Sequence, residues 1–261
     1  MSELNRPVFD FSGKSVLVTG GTSGIGAAIA EAFAQSRAHV VIAGRNQARA
    51  DAILARIHSF GAQAHFIAGE ISDAGYCQRL LDDASSLTGT PDIVVNCAGV
   101  IYHATADETT DAQWLDTFGV NVHGMFYVCR AAIPPMRDKG GGVIINIASD
   151  AALSGSKHLV AYCASKGAVL QMTRAMALDH AREKIRVVAI CPGDVDTAML
   201  RGEFHDRGIS VEQGLAESAA AVPLNRVCSP EEIADMVLFA ASDSARFVTG
   251  YPLVADGGFR A

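Results

Sequence analysis

Short apolar runs alternate with segments of helical periodicity along almost the whole chain. The apolar runs are rich in β-branched residues and predict six strands, at 15–19, 39–43, 64–68, 92–96, 143–147 and 185–190. Helical spacing predicts helices at 24–36, 48–59, 73–86, from 111 towards Pro134, around Tyr162 as far as 180, and from Ser229 onwards. Strands that are apolar throughout and separated by helices indicate an α/β protein whose parallel sheet is covered on both faces.

This pattern shows no internal repeat, low-complexity stretch or linker that would divide the chain. We therefore expect a single domain over residues 1–261. The segment 194–222 is the exception, because it is polar and only weakly periodic. We predict that it forms a mobile flap.

Composition excludes several classes of partner. Apolar residues make up 49% of the 261 positions, enough for a sizeable core, and the net charge is −7 with no long basic run. Nucleic acid and anionic membranes are therefore not expected as partners. The N-terminus lacks the apolar core of a signal peptide, and the six cysteines follow no disulfide spacing, which fits the cytoplasm. Neither the cysteines nor the eight histidines follow a metal-ligand pattern, so no metal site is expected.

A glycine-rich turn follows the first predicted strand and opens the first predicted helix. It reads T-G-G-T-S-G-I-G at 19–26. Glycines allow backbone to approach a pyrophosphate closely, and a helix N-terminus offers free N–H groups and the positive end of a dipole. The alternative interpretation is a merely tight turn. The binding interpretation predicts a Rossmann-type, doubly wound sheet of about seven strands.

Tyr162 and Lys166 stand four residues apart on a predicted helix and therefore share one face. A free tyrosine has a pKa of about 10 and is a poor acid–base catalyst near neutral pH. A cation about 4 Å away, at an effective dielectric near 20, would favour the phenolate by roughly 4 kcal/mol, or about 3 pKa units. The pair predicts an acid–base site, although alone its spacing also fits a surface tyrosine and a solvated lysine.

Taken together, the landmarks of this chain resemble the short-chain dehydrogenase/reductase family. They are the T-G-x-x-x-G-I-G turn, N-C-A-G at 96–99, Ser149 thirteen residues before Tyr162, P-G at 192–193 and D-G-G at 256–258. The resemblance covers nearly the whole chain, from about residue 12 onwards. Two positions depart from the family pattern, since Cys97 replaces the usual asparagine and Glu70 a common aspartate. Neither change removes a catalytic group.

The resemblance implies roles for individual residues. The implied catalytic residues are Asn121, Ser149, Tyr162 and Lys166. Tyr162 would exchange a proton with the reacting oxygen, Lys166 would lower the phenol pKa, and Ser149 would donate a hydrogen bond to the developing alkoxide. Asn121 resembles the residue that anchors a water relay to the lysine. The implied cofactor contacts are Gly20, Thr22, Ser23, Gly24, Ile25, Gly26, Arg45, Glu70, Ile71, Asn96, Ala98, Gly99, Tyr162, Lys166, Pro192, Gly193, Val195 and Thr197.

The implied function is that of an NAD(P)(H)-dependent oxidoreductase, such as a ketoreductase, that interconverts a carbonyl and a secondary alcohol by hydride transfer. One alternative is a non-catalytic nucleotide-sensing regulator on the same fold, but such proteins typically lack the Tyr/Lys pair. Another is a nucleotide-sugar epimerase, whose T-G-x-x-G-x-x-G turn and longer C-terminal domain are missing here. The resemblance also implies a homotetramer built through the long helices after the fourth and fifth strands.

The end of the second predicted strand bears on the choice of cofactor. An acidic residue there would accept hydrogen bonds from the ribose hydroxyls of NAD and repel a 2′-phosphate. This chain has Gly44 at that point, followed by Arg45 and Asn46. A guanidinium pairs well with phosphate, so NADP(H) is favoured. NAD(H) stays open, because Arg45 could also stack on adenine or face solvent.

The substrate is not identified by these motifs. Candidate pocket positions are Tyr102, His103, the segment 150–153, His158 and the flap. Within the flap, Arg201 and Arg207 predict a polar, anionic substrate, since either guanidinium could pair with a carboxylate, phosphate or sulfonate. The alternative is a solvated helix face neutralised by Glu203 and Asp206.

Overall fold

The computed structural model describes residues 9–261, so the N-terminal segment on which the signal-peptide expectation rests lies outside the described residues. The strands are β1 (Ser15–Thr19), β2 (His39–Gly44), β3 (Ala64–Ala68), β4 (Ile93–Asn96), β5 (Gly142–Ile147), β6 (Ile185–Pro192) and β7 (Pro252–Ala255). The helices are α1 (Gly24–Gln35), α2 (Gln47–Ser59), α3 (Ala74–Thr88), α4 (Asp111–Phe118), α5 (Met125–Lys139), α6 (Val160–His180), α7 (Ala198–Asp206), α8 (Val211–Ala221) and α9 (Pro230–Ala241).

The seven strands form one parallel sheet in the order β3-β2-β1-β4-β5-β6-β7. The chain leaves β1 in one direction through β2 and β3, then returns to place β4 on the other side of β1. At this switch the connections after β1 and β4 diverge and leave a crevice at the carboxyl ends of the strands, where open α/β sheets bind ligands. The sheet order confirms the predicted Rossmann-type, doubly wound fold.

The core lies on both faces of the sheet because successive strand side chains point to opposite sides. Val16 and Val18 of β1 pack into a cluster with Phe33 of α1 and Val237 of α9. Leu17, between the two valines, belongs instead to the cluster formed with α3, α5 and α6. Burial of each large apolar side chain contributes about 1.5–3 kcal/mol, and the two layers together hold the strand ends in place.

Several helices begin at residues whose side chains satisfy the free N–H groups of the first turn. The side chain of Asn46 accepts a hydrogen bond from the backbone of Arg49 at the start of α2. At the start of α9, Ser229 and Glu232 form a reciprocal capping box, with Pro230 in the first turn. The predicted start of this last helix is therefore confirmed.

The helical region after β4 differs from the single helix predicted from residue 111 towards Pro134. A π-helical segment, Gly119–Gly124, interrupts it between α4 and α5, and α5 continues through Pro134 and Pro135 to Lys139. Each proline removes one backbone donor, but the buried side chains of Ile133 and Met136 hold this turn against the sheet. The prolines therefore do not end the helix, which stops at Gly140 with φ +100°.

The segment predicted to be a flap is more regular than its sequence pattern indicates. It contains α7 and α8, which meet where the buried ring of Phe204 packs on Gly214. A Cβ atom at Gly214 would lie 2.3 Å from that ring, so the contact requires glycine. The short helices explain the weak periodicity, since each presents only one or two buried positions. Mobility of the flap stays a prediction.

Candidate active site

A cleft of about 610 Å³ opens at the carboxyl ends of the central strands. Most of the predicted site residues line it, namely Gly20, Thr22, Ser23, Gly24, Ile25, Gly26, Arg45, Glu70, Ile71, Ala98, Gly99, Ser149, Tyr162, Lys166, Pro192, Gly193, Val195 and Thr197. Among the predicted catalytic and cofactor-contacting residues, Asn96 and Asn121 are the two that do not. The sheet topology brings these side chains together from positions as far apart as 20 and 197.

The glycine turn forms one wall of the cleft by packing backbone on backbone. Gly20 has φ +68°, and a Cβ atom there would lie 2.8 Å from the backbone of Ala98. A Cβ atom at Gly26 would lie 2.3 Å from the carbonyl oxygen of Gly20. Helix α1 then begins after Ser23, whose side chain makes no capping hydrogen bond in the described part of the chain. The first N–H groups of α1 thus remain available for a phosphate, which fits a dinucleotide.

One end of the cleft carries two arginines. The guanidinium of Arg45 lies 3.2 Å from the carboxylate of Glu70, and both side chains are exposed. Arg49 also lines the cleft from the first turn of α2. The sequence prediction missed Arg49, although the cap at Asn46 was its signal. A cap at 46 places position 49 in the first turn of the helix, close to Arg45.

Tyr162 and Lys166 lie on α6 beside Ser149, which follows β5. The Lys166 Nζ atom donates a 2.8 Å hydrogen bond to the carbonyl of Ile147 and lies 5.5 Å from the centroid of the Tyr162 ring. Burial lowers the pKa of Lys166 to about 8. The ammonium form therefore still predominates at neutral pH.

The pKa of the Tyr162 phenol differs from the value expected from sequence. Burial raises this pKa above its ordinary value, a hydrogen bond with Ser149 opposes the rise, and the carboxylates of Glu203 and Asp150 add to it. Lys166 was expected to act as a cation about 4 Å away and to bring the phenol near neutrality. Instead its ammonium is bound to a carbonyl, and the cost of desolvating a phenolate is the larger effect.

Asn121 lies in the π-helical segment, behind the wall of the cleft. Its side chain accepts a 2.9 Å hydrogen bond from the N–H of Val100 and donates a 3.0 Å bond to the carbonyl of the same residue. A Cβ atom at Gly99 would lie 3.4 Å from the Asn121 oxygen and 3.7 Å from Lys166 Nζ. Asn121 therefore holds the loop that separates it from Lys166.

Asn96 does not occupy the position predicted for a cofactor contact. Its amide nitrogen donates to Asn146 at 2.9 Å and to the Cys129 sulfur at 3.3 Å, inside the core between β4, β5 and α5. Asn146 continues this buried network to Thr173. The side chain alternates away from the cleft because β4 presents successive residues to opposite faces. Asn96 thus joins elements behind the site, while its neighbours Ala98 and Gly99 line the cleft.

The other end of the cleft mixes apolar side chains with carboxylates. The apolar members are Ile101, Leu159, Met199, Leu200 and Phe259, and the acidic ones are Asp150, Asp194 and Glu203. Of the predicted pocket positions, Asp150 and Ala151 line the cleft, whereas Tyr102, Ala152, Leu153 and His158 do not. His103 lies 3.1 Å from Glu203 and so joins the loop after β4 to α7.

The two flap arginines do not face this pocket, contrary to the prediction of an anionic substrate. Arg201 makes two hydrogen bonds, of 2.7 and 3.0 Å, to Asp196, and Arg207 pairs with Glu217 on α8. Both pairs are exposed. The residue that α7 turns towards the cleft is Glu203, because it lies on the same face of the helix as the buried Leu200 and Phe204.

The remaining titratable groups do not suggest other chemistry. Burial raises the pKa of the Cys97 thiol to about 12, so this cleft residue is a neutral thiol at physiological pH. Across residues 9–261, His, Cys, Asp and Glu side chains form no group of three that could hold a metal ion.

A glycine turn at a helix N-terminus, facing the half-buried Tyr162 and the buried Lys166 across one cleft, is the arrangement typical of nicotinamide-dependent oxidoreductases. Residues 20–260 match a family model described as enoyl-(acyl carrier protein) reductase. The chain is 36% identical over 254 residues to D-threitol dehydrogenase of Mycolicibacterium smegmatis, covering 96% of this chain and 95% of that protein.

Solved structures are similar as well. A single-substitution variant of the actinorhodin polyketide ketoreductase, solved with NADPH, superposes with a TM-score of 0.90 at 32% identity, covering 94% of this chain and 97% of that one. A Beutenbergia cavernae structure with NADP, described as an NAD(P)-dependent gluconate 5-dehydrogenase, gives 0.89 at 32% identity, covering 97% and 99%. The chain belongs to the short-chain dehydrogenase/reductase family and is an NAD(P)-dependent oxidoreductase. The regulator alternative is not supported.

Proposed function

We propose that this protein is an NADP(H)-preferring enzyme that interconverts a ketone and a secondary alcohol, with Tyr162 as the proton donor in reduction and the acceptor in oxidation. The observation that carries the proposal is the convergence of Ser149, Tyr162 and Lys166 on the cleft formed by the glycine turn. A bound nicotinamide cofactor supplies or accepts the hydride at the reacting carbon.

The proton is handled by the three side chains around the reacting oxygen. Tyr162 keeps its proton near neutral pH, because burial raises its pKa, and it is therefore ready to donate in reduction. Ser149 lies beside the same phenol, whose pKa it lowers, and donates to the oxygen that develops negative charge. Lys166 sits behind the phenol, held by the Ile147 carbonyl, and Asn121 fixes the adjoining loop. In oxidation, positive charge on the oxidised nicotinamide would assist loss of the phenol proton.

The cofactor preference rests on the arginine pair at the cleft rim. Arg45 and Arg49 both line the cleft, and no acidic residue ends β2. Two guanidinium groups provide forked donors that suit a 2′-phosphate. Glu70 partly offsets the charge of Arg45, so NAD(H) remains a weaker second cofactor. NADP and NADPH in the two structural relatives support the same preference.

The acidic end of the cleft favours a neutral substrate that carries hydroxyl groups. Asp150, Asp194 and Glu203 line this end and would repel an anion, whereas carboxylates accept hydrogen bonds from hydroxyls. The apolar side chains beside them would contact the carbon skeleton. D-threitol, named for one relative, is a neutral polyol and supports this choice.

The proposed biological unit is a homotetramer in the cytoplasm that binds no nucleic acid, each chain acting as one catalytic domain. Leu115 of α4 and Leu178 of α6 are 67% and 82% exposed, the rings of Trp114 and Phe126 are exposed as well, and apolar side chains exposed on these helices favour self-association. Among residues 9–261, no helix combines the length and apolarity needed to cross a membrane. Light scattering at micromolar protein tests the assembly, and a monomer contradicts it.

The decisive experiment is turnover with NADPH or NADP⁺ across a panel of neutral ketones, keto acids and secondary alcohols, in wild type and Tyr162→Phe. The substitution should lower kcat by about 10²–10⁴-fold, the range for acid–base catalysis, while NADPH binding stays nearly unchanged. Tyr251→Phe is the matched control, because that ring is 72% exposed. If Tyr162→Phe retained more than about a tenth of wild-type kcat, the assignment of Tyr162 would be wrong.

A further inference from the structure

Ser149 shares its hydroxyl between two groups. Its Oγ atom accepts a 3.1 Å hydrogen bond from the N–H of Ala151 and donates a 3.0 Å bond to the carboxylate of Asp150. The same hydroxyl also acts on the Tyr162 phenol, because its interaction lowers the phenol pKa and so opposes the effect of burial. A serine hydroxyl has one hydrogen, so a bond donated to Asp150 competes with donation to the reacting oxygen.

The second oxygen of Asp150 binds a residue from the far end of the described chain. The Arg260 guanidinium lies 3.2 Å from Asp150 Oδ2, across 110 positions of sequence, and both side chains are more than four-fifths buried. The Arg260 backbone is fixed by a 3.1 Å hydrogen bond to Asp256. A turn at Gly257 and Gly258, with φ of +61° and +88°, packs against Val222 and Pro223 at the end of the flap. The C-terminal turn thus reaches the catalytic serine through one carboxylate.

One buried polar atom of Arg260 lacks a hydrogen-bond partner in the described part of the chain. Its Nε atom is buried and has no acceptor among residues 9–261. Leaving a buried donor unpaired is unfavourable, so the side chain is held there by its other contacts. Those contacts are Asp150 and the ring of Phe259, which lies 5.6 Å from the guanidinium carbon and itself lines the cleft.

We propose that Arg260 is a positioning residue that acts through Asp150 and leaves the Ser149 hydrogen available to the reacting oxygen. A carboxylate without a cation is a stronger hydrogen-bond acceptor and would hold that hydrogen. The guanidinium takes up part of the Asp150 charge and anchors its second oxygen. This inference rests on the proposed roles of Ser149 and Tyr162.

The charge of Arg260 should influence ionisation of the Tyr162 phenol, because charged and titratable groups surround that phenol. Asp150 approaches the phenol from the segment after β5 and Glu203 from α7, while Lys166 and Cys163 lie on α6 itself. Beyond Asp150 stand Arg260, Asp194 and Cys191. Loss of the Arg260 charge leaves Asp150 as an uncompensated anion beside the phenol, which disfavours the phenolate.

The test is a double-mutant cycle with Arg260→Gln, Asp150→Asn and the double variant, assayed for oxidation of the best secondary alcohol found in the panel. Arg260→Gln should lower kcat about tenfold and leave NADP⁺ binding unchanged. The rise of kcat with increasing pH should occur about one pH unit higher than in wild type. Adding Asp150→Asn to Arg260→Gln should return the pH profile towards wild type, because the uncompensated charge is gone. A purely structural role for the bridge predicts no such rescue.

Two further variants serve as controls for this cycle. Arg260→Lys keeps the charge and should keep the wild-type pH profile, so it tests the proposal even if Arg260→Gln folds poorly. Arg246→Gln is the matched control, since that arginine is exposed and bonds the carbonyl of Asp243.

The proposal is overturned if Arg260→Gln has the wild-type kcat and pH profile, if Arg260→Lys shifts the profile as far as Arg260→Gln, or if the double variant remains as defective as Arg260→Gln. In each case an inactive Tyr162→Phe would leave the proposed function intact. Activity in Tyr162→Phe would instead remove the proposed function itself.

Discussion

The glycine turn at 20–26 and helix α7 of the flap form parts of the same cleft, but they leave very different room for side chains. In the turn, a Cβ atom at Gly26 would approach the Gly20 carbonyl oxygen to 2.3 Å. In α7, a Cβ atom at Gly202 would meet nothing within 4 Å. Backbone packing therefore fixes the shape of the glycine turn, whereas side-chain pairs such as His103–Glu203 fix the position of the flap. We expect the first region to tolerate almost no change and the second to adapt to different substrates.

The largest effect that separates the two regions should come from adding one methyl group to each. Gly26→Ala should lower the free energy of unfolding by about 1–3 kcal/mol, as overpacking does, and should strongly weaken NADPH binding, because Gly20 must move. Gly202→Ala, the matched control in α7, should raise the unfolding free energy by about 0.5–1 kcal/mol through helix propensity. Denaturant unfolding and NADPH titration measure both. Equal effects of the two substitutions would contradict the contrast.

The second prediction concerns the arginines at the rim of the cofactor end. Arg45→Ala and Arg49→Ala should each weaken NADPH binding by about 1.5–3 kcal/mol, the range for hydrogen bonds to charged groups, and leave NADH binding almost unchanged. Arg56→Ala is the control, because Arg56 lies on the same helix as Arg49 but pairs with Glu31 at 2.5 Å. Calorimetric titration with NADPH and with NADH measures the affinity of each variant for both cofactors. An equal loss for NADPH and NADH would place the arginine on the shared adenosine, and a wild-type preference for NADH would refute the argument.

The same contrast explains what could be predicted from sequence. Glycines at 20, 24 and 26 and the caps at Ser229 and Asn46 act locally, so their consequences follow from neighbouring residues. Seven parallel strands then bring these turns to one edge of the sheet, which made most of the residues that line the cleft predictable by number. The sequence did not indicate that the Asn96 side chain bonds Asn146 inside the core, because the direction of that side chain depends on the exact strand register.

Side-chain partners from distant segments were not predictable. Arg201 turned out to pair with Asp196 and Arg207 with Glu217, which removed both from the cleft and left Glu203 facing it. The bond from Arg260 to Asp150 spans 110 residues and depends on the path of the C-terminal turn. Likewise, the raised pKa of Tyr162 follows from burial, which spacing along one helix does not reveal.

The third prediction separates the charge of the pocket from the charge of the flap surface. Glu203→Gln should raise the ratio of kcat/KM for a keto acid over that for a neutral ketone of equal size by about fivefold, or about 1 kcal/mol, because one repulsive charge is removed. Arg201→Ala and Arg207→Ala should leave this ratio unchanged, since both guanidinium groups are paired on the outside. A fall in the ratio in either arginine variant would restore the anionic-substrate prediction.

The smallest expected effect is a pH-dependent contribution of the flap to stability. A hydrogen bond with Glu203 raises the pKa of His103 in the folded protein, burial opposes the rise, and the charges of Glu203 and Asp206 add to it while Arg207 reduces it. A raised folded pKa means that the protonated histidine stabilises the fold. This contribution is complete below the unfolded value of about 6.5 and is lost as pH rises through the folded value.

His103→Gln should therefore lower Tm near pH 6 by about 1–4 °C, the equivalent of an ion pair worth up to about 1 kcal/mol, and by less near pH 9. His205→Gln is the control on α7, because His205 is almost fully exposed. Thermal unfolding of the three proteins across this pH range measures the difference. If the Tm deficit of His103→Gln were the same at both pH values, His103 would contribute through packing alone, and the flap would be held closed by its apolar contacts rather than by charge.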